Sequence, residues 1–222
     1  MDIKKHIDFF NPAKLTTNKL EVHIIGTGAV GSNIALQLAK LGVPLIHLWD
    51  FDTVDEHNIT NQVYSVLDIN KPKVNALKEI LLQQNPFCKV YAHNMKYTNQ
   101  PLKGIIFSTV DSIKTRKQIA EDNFHNLFVK LVIDGRIGLE RGQVFTTVWA
   151  YDNLKTNYIN LCDFDDSETD AKVSACGTEL SVSPSVQMTA AIAVAQFINF
   201  LNEQEIKQTV NFDAFDFKIT AL

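Results

Sequence analysis

The stretch VHIIGTGAVGSNIALQLAKLGVPLIHLWDFD, residues 22–52, sets the fold class of this chain. Val22 to Ile25 form a short apolar run, the spacing Gly26-x-Gly28-x-x-Gly31 follows, and Ile34, Leu38 and Leu41 then recur at helical intervals. The order is strand, tight turn, helix. Gly26 permits the turn, Gly28 lets the backbone approach a phosphate or ribose, and Gly31 lets the helix lie close on the strand. The N-terminus of that helix favours an anion. Asp50 closes the next apolar run, PLIHLW, where a carboxylate can accept hydrogen bonds from ribose hydroxyls. NAD and ATP both carry that ribose. The fingerprint therefore indicates a nucleotide without choosing between them, and a turn that binds nothing has the same spacing.

The rest of the composition narrows the class. A chain of 222 residues with 45% hydrophobic and 21% charged residues suits one α/β domain with a substantial core. A net charge of -4 gives no electrostatic reason to expect nucleic acid. Cys88, Cys162 and Cys176 are far apart and odd in number, so they form neither a disulfide framework nor a C-x-x-C zinc pair. That fits a reducing cytoplasm. Residues 1–20 lack the apolar core of a signal peptide, and no run approaches the roughly 18 apolar residues of a membrane span. The expectation is a cytoplasmic protein with no membrane partner.

Beyond Asp50 the alternation continues. A helix is predicted over Pro72 to Gln84, with Val74, Leu77, Ile80 and Leu81 on one face and the proline in its first turn. Strands are predicted at Lys89 to Ala92, within GIIFSTV at 104–110, and within FVKLVIDG, which ends near Gly135. A helix from Asp111 to about Asn123 separates the last two. QVFTTVWA, 143–150, follows without an intervening helix and reads as an antiparallel strand. The fold class is thus α/β, a Rossmann-like, doubly wound, mostly parallel sheet with antiparallel strands in the C-terminal part. Residues 1–222 read as a single domain, with 1–20 as an N-terminal arm and the acidic, Ser/Thr-rich 161–183 as a long crossover loop. From Pro184 the apolar pattern reads as a buried core helix, and the tail VNFDAFDFKITAL as a terminal strand or hairpin half. Cys88 is assigned to a strand.

DFDTVDEHNITNQVYSVLDINKPKV, 50–74, and STVDSIKTR, 108–116, add motifs that a dinucleotide domain does not need. In this order they resemble the signature of the ThiF/MoeB/HesA adenylating family, whose fold and chemistry are shared with the enzymes that activate ubiquitin-like proteins. The resemblance runs from about residue 20 to the end, because SVSPSVQMTAAIAVAQFINFL and NFDAFDFKITAL look like the family's closing helix and strand. It implies that Asp50 holds the ATP ribose, that Asn58 and Gln62 match the ends of the polar segment over the phosphates, and that Lys73 is the family lysine. Asp111 matches the family aspartate and would hold Mg2+, Ser112 stands where asparagine is usual, and Arg116 matches the following arginine. Asn61 stands where the family has arginine, which loses the charge and fork that grip phosphate. Residues 1–20 contain no arginine either, only Lys4, Lys5, Lys14 and Lys19.

The implied reaction is attack of a carboxylate on the α-phosphorus of ATP, giving an acyl-adenylate and pyrophosphate. Two anions must meet, so Lys73 would neutralise the phosphate oxygens and Asp111 with Mg2+ would assist the leaving group. No general base is needed, because the carboxylate is ionised at pH 7. The resemblance implies, as partner, the C-terminal glycine of a small ubiquitin-like or sulfur-carrier protein, and a homodimer. The arm and the apolar tail, which a monomer would cover poorly, point to a dimer as well. Some family members use a crossover-loop cysteine to form a thioester or persulfide. Here Cys176 is the better candidate, because the acidic surroundings of Cys162 oppose a lowered thiol pKa. Each residue also has a plainer reading: Lys73 as a solvated lysine, Asp111 as a helix cap, Asn58 and Gln62 as turn residues, the cysteines as packed thiols. His57 and His125 show no metal-ligand pattern. An NAD-dependent oxidoreductase and a non-catalytic binding member of the family are the rival functions; Asn61 supports the second.

Overall fold

The computed structural model of the protein describes residues 4–165 and 181–222. Its strands are β1 (Val22–Ile25), β2 (Leu45–Asp50), β3 (Lys89–Asn94), β4 (Gly104–Ser108), β5 (Val129–Ile137), β6 (Arg141–Val148), β7 (Thr209–Asp213) and β8 (Lys218–Ala221). They form one sheet in the order β3-β2-β1-β4-β5-β6-β7-β8. β3-β2-β1-β4-β5 are parallel and the remaining pairs antiparallel, so the expected mixed sheet is found. The helices are α1 (Ala13–Thr17), α2 (Ala29–Lys40), α3 (Lys73–Gln84), α4 (Ile113–Asp122), α5 (Asp152–Asn160) and α6 (Ser183–Leu201).

Alternation along the strands makes two cores. Val22, Ile24, Ile46, Leu48, Ile105, Phe107, Leu131 and Ile133 point to the face covered by α2, α3 and α6. Ile25, Trp49, Ile106, Val132 and Phe145 point to the other, where Ile113 and Ile119 of α4 and Tyr158 of α5 join them. Both faces of the central strands are therefore apolar, as a parallel sheet flanked by helices requires. Among the described residues α6 is the one helix long and apolar enough to cross a membrane, but its buried side packs on α2, β5 and β6.

Several boundaries depart from the sequence reading. α5 has no strong apolar period and lies where no element was expected. α6 begins at Ser183, inside the expected loop. Cys88 is not in a strand: it is buried in the turn before β3, its N–H donating to Asn85 O at 3.1 Å. The tail is a complete hairpin, since β7 pairs β8. The arm is better covered than expected, because Phe10 and Leu15 are fully buried in the larger core of their own chain. Phe217, Ile219 and Leu222 of the tail remain exposed.

Candidate active site

β1 pairs β2 on one side and β4 on the other, both parallel, so the strand order switches sides there and a crevice opens beyond the carboxyl ends of the strands. The three glycines shape it in different ways. Gly26 has φ +93°, and a Cβ there would lie 2.6 Å from Thr109 O. A Cβ on Gly31 would overlap Gly26 O, so α2 can sit against the turn only without a side chain at this position. A Cβ on Gly28 would meet nothing within 4 Å, and no side chain caps α2 at this residue. Open space at a helix N-terminus is where a phosphate would fit.

Asp50, at the end of β2, is held rather than loose. Thr27 N–H and Oγ1 donate to its Oδ2 at 2.7 and 2.9 Å, and Asp52 N–H donates to its Oδ1 at 2.9 Å. Tyr64 OH locks the same loop by donating to Thr27 O at 2.7 Å. Lys73 opens α3 almost fully buried, with Nζ 3.0 Å from Asp52 Oδ2. Asp52 thus connects Asp50 to the lysine. Asp111 is exposed, its Oδ1 accepting from Ser112 N–H at 2.8 Å. Ser112 Oγ caps α4 by accepting from Thr115 N–H at 3.3 Å. Two residues before Asp111, Thr109 Oγ1 donates to Gly26 O at 2.7 Å, which joins this loop to the glycine turn.

The polar segment after Asp52 is a short 3-10 turn, Glu56–Thr60. Asn58 is committed to it: its Oδ1 accepts from Asp55 N–H at 2.9 Å in a reciprocal capping box. Gln62 is half-buried, and its Oε1 has no hydrogen-bond partner. Asn61 turns toward the chain itself, with Nδ2 donating to Ser181 Oγ at 2.7 Å and its carbonyl accepting from Asn33 Nδ2 at 3.2 Å. Gln187 Nε2 extends this line by donating to Asn33 Oδ1 at 2.7 Å. The amide that replaces the family arginine therefore ties the turn after the 3-10 segment to the stretch entering α6, while the backbone carbonyl of Asn61 holds α2. Asn33, Ser181 and Gln187 were not legible as partners, because they meet only once α2 and α6 pack.

Behind Asp111 lies a buried ionic group. Arg116 Nη1 donates to Asp134 Oδ1 and, at 3.0 Å, to Ser108 O. Arg136 Nε and Nη2 donate to Asp134 Oδ2 at 2.9 and 2.8 Å, and Tyr158 OH joins at 3.1 Å. Arg136 Nη2 also lies 3.1 Å from Cys162 Sγ. Burial, and after it Asp134, push the Cys162 thiol above its usual range, which agrees with a packed thiol. Cys176 lies outside the described residues.

Asp50, Lys73, Asp111 and the glycine turn thus follow the three adjacent strands β2, β1 and β4 at one end of the sheet. Gly28's open space, Asp111's exposed carboxylate and Gln62's unpartnered oxygen fit an ATP-magnesium ligand. The ThiF family model matches residues 5–222. The chain is 32% identical over 166 residues to the molybdopterin-synthase adenylyltransferase of Haemophilus influenzae, covering 72% of this chain and 66% of that protein. It is 38% identical over 86 residues to the tRNA threonylcarbamoyladenosine dehydratase of Bacillus subtilis, covering 38% of this chain and 34% of that protein. Both matches thus span less than two thirds of the relatives' own lengths. The fold is similar to E. coli MccB crystallised with ATP, at TM-score 0.74 and 18% identity, covering 99% of this chain and 70% of that one. With its glycine turn, the carboxylate that ends β2 and the buried lysine in the order of the motif, this chain belongs to the ThiF family.

Proposed function

We propose that the protein is an adenylyltransferase that uses Mg-ATP to activate a carboxylate, the C-terminal glycine of a small ubiquitin-like or sulfur-carrier protein. The observation that carries this reading is the link from Asp50 through Asp52 to Lys73, which ties the ribose carboxylate to a buried cation. Asp50 would accept from the ribose, and the N–H groups around Gly28 would receive phosphate oxygens. Lys73, exchanging Asp52 for phosphate, would compensate charge as the partner's carboxylate attacks and pyrophosphate leaves. Asp111 would hold the magnesium ion, which supplies neutralisation of the phosphate charge. The name of the Haemophilus relative supports a protein as the adenylated partner.

Exchange of labelled pyrophosphate into ATP, with the carboxylate partner present, tests the reading because adenylation is reversible. Lys73→Ala should lower exchange about a hundredfold, or roughly 3 kcal/mol, and Asp111→Asn should weaken its magnesium dependence. Unchanged exchange in both variants would remove these residues from the chemistry. A second reading, nucleotide binding without turnover, is favoured by Asn61, whose amide is committed to Ser181. No exchange in the wild type with its partner would select it. A homodimer belongs to the first reading because Phe217, Ile219 and Leu222 stand exposed on the last hairpin. Light scattering should give about twice the 25.0 kDa chain mass; the monomer mass at micromolar concentration would contradict it.

A further inference from the structure

Away from the crevice, the face of the sheet over β1, β2 and β3 carries a column of rings. Trp49 stacks on His93 at 3.8 Å between centroids, His47 on Tyr91 at 5.0 Å, and His23 on His47 at 4.5 Å. Strand register makes this column, for His23 is the cross-strand neighbour of His47, and His47 that of Tyr91. Glu21, immediately before β1, points into it. Its Oε2 lies 3.4 Å from His47 Nε2 and 3.8 Å from His23 Nε2. Its Oε1 is occupied separately, 2.7 Å from Lys103 Nζ.

Both of those imidazole Nε2 atoms are buried and have no hydrogen-bond partner, and the His23 side chain is only 3% exposed. Two orphaned nitrogens facing one carboxylate oxygen are costly unless something joins them. We propose that Glu21, His23 and His47 form a binding site for a zinc-class divalent cation. All three donor atoms lie within 4.8 Å of one another. A tetrahedral ion with arms of about 2.1 Å needs donors roughly 3.4 Å apart, which the Glu21–His47 pair already matches. Two imidazoles and one carboxylate are donors that such ions take, and the fourth position is left to solvent. Strands rather than loops carry the two histidines, so the donors are held by a rigid scaffold.

The surrounding hydrogen bonds decide the proton positions. His47 Nδ1 lies 3.1 Å from His93 Nε2, so a proton on His47 Nδ1 leaves its Nε2 lone pair for the ion and is itself received by His93. His23 is opposed, because Trp49 Nε1 donates to its Nδ1 at 3.2 Å and thereby keeps the proton on Nε2. The ion must displace that proton; the neutral ligand then carries its hydrogen on Nδ1, and the Trp49 N–H loses its acceptor. Burial favours a neutral His23 ring in either tautomer, holding it down at about 3. Trp49 is therefore both an opponent of binding and its reporter.

Untagged protein, stripped with chelator and titrated with Zn2+, tests the site by calorimetry, tryptophan emission and nitrogen NMR of labelled histidine. One equivalent of Zn2+ per chain should bind with a change in emission, and the His23 proton should move from Nε2 to Nδ1. Glu21→Gln and His47→Gln should each weaken binding about a hundredfold. Trp49→Phe should strengthen it, which a weak surface histidine site would not show. If His47→Gln fails to fold, Glu21→Gln, at the start of β1 with a partly exposed side chain, decides alone. Absent binding, or affinity unchanged in Glu21→Gln, would overturn the proposal. Adenylation is not involved in these readings, so a failure here leaves pyrophosphate exchange untouched, and the reverse also holds.

Discussion

The two ends of the same parallel strands are built differently. Beyond the carboxyl ends of β1, β2 and β4, Asp50, Lys73, Asn61 and Asp111 each have a partner from their own chain. On the face below, His23 and His47 present buried nitrogens that have none. At the carboxyl ends the groups come from the loops that directly leave each strand, where motif spacing places them, although their hydrogen bonds reach across the chain, between Thr27 and Asp50, Lys73 and Asp52, and Asn61 and Ser181. On the face, His23 and His47 come from two strands joined by a helix and meet only through register, with Glu21 just ahead of the first strand. A site made of loop residues leaves a motif; a site made of register does not.

The glycine turn gives the sharpest test of how the loop end is built. Gly31→Ala places a methyl group against Gly26 O, backbone that cannot swing away, and within 2.6 Å of Thr109 Oγ1. It should cost about 3 kcal/mol or more in chemical denaturation, the range of severe overpacking. Gly28→Ala meets nothing within 4 Å, so stability should stay within about 1 kcal/mol while ATP binding falls, because the methyl group occupies the space left for phosphate. Equal destabilisation by the two would mean that both glycines serve packing alone, and the distinction between a built turn and an open ligand space would be lost.

The sequence yielded much of the fold because its signals are local. Gly26, Gly28 and Gly31 mark the first turn, and the apolar runs at 22–25, 45–50 and 104–108 mark β1, β2 and β4. Asp50, Lys73 and Asp111 were legible as candidates since each stands at a fixed offset from one of those elements. α5 was not legible, because its buried residues, Lys155 and Tyr158, are not an apolar stripe. Lys155 Nζ donates to Phe124 O at 2.8 Å as well as to Asp152 Oδ1 at 2.9 Å, and the first of these partners exists only once α5 packs. Cys88 was misassigned because a buried turn and a strand are equally apolar in sequence. Asn61 was legible as a departure from the family pattern, but its bond to Ser181 spans 120 positions, and no local rule could supply it. The histidine column hid for the same reason: His23 and His47 stand 24 positions apart, and the parallel register of β1 with β2 makes them adjacent.

We propose that ATP binds beyond the carboxyl ends of β1 and β2 through Asp50 and the glycine turn, independently of the histidine face. Thermal unfolding with Mg-ATP or NAD tests it most directly, since a ligand that binds only the native state stabilises it by RT ln(1 + [L]/Kd), about 2.7 kcal/mol at a hundredfold excess over Kd. Mg-ATP should raise the wild-type Tm, NAD should do less, Asp50→Ala should lose most of the ATP effect, and Glu21→Gln should keep it. A shift by NAD as large as that by Mg-ATP, or a full ATP shift in Asp50→Ala, would contradict the claim.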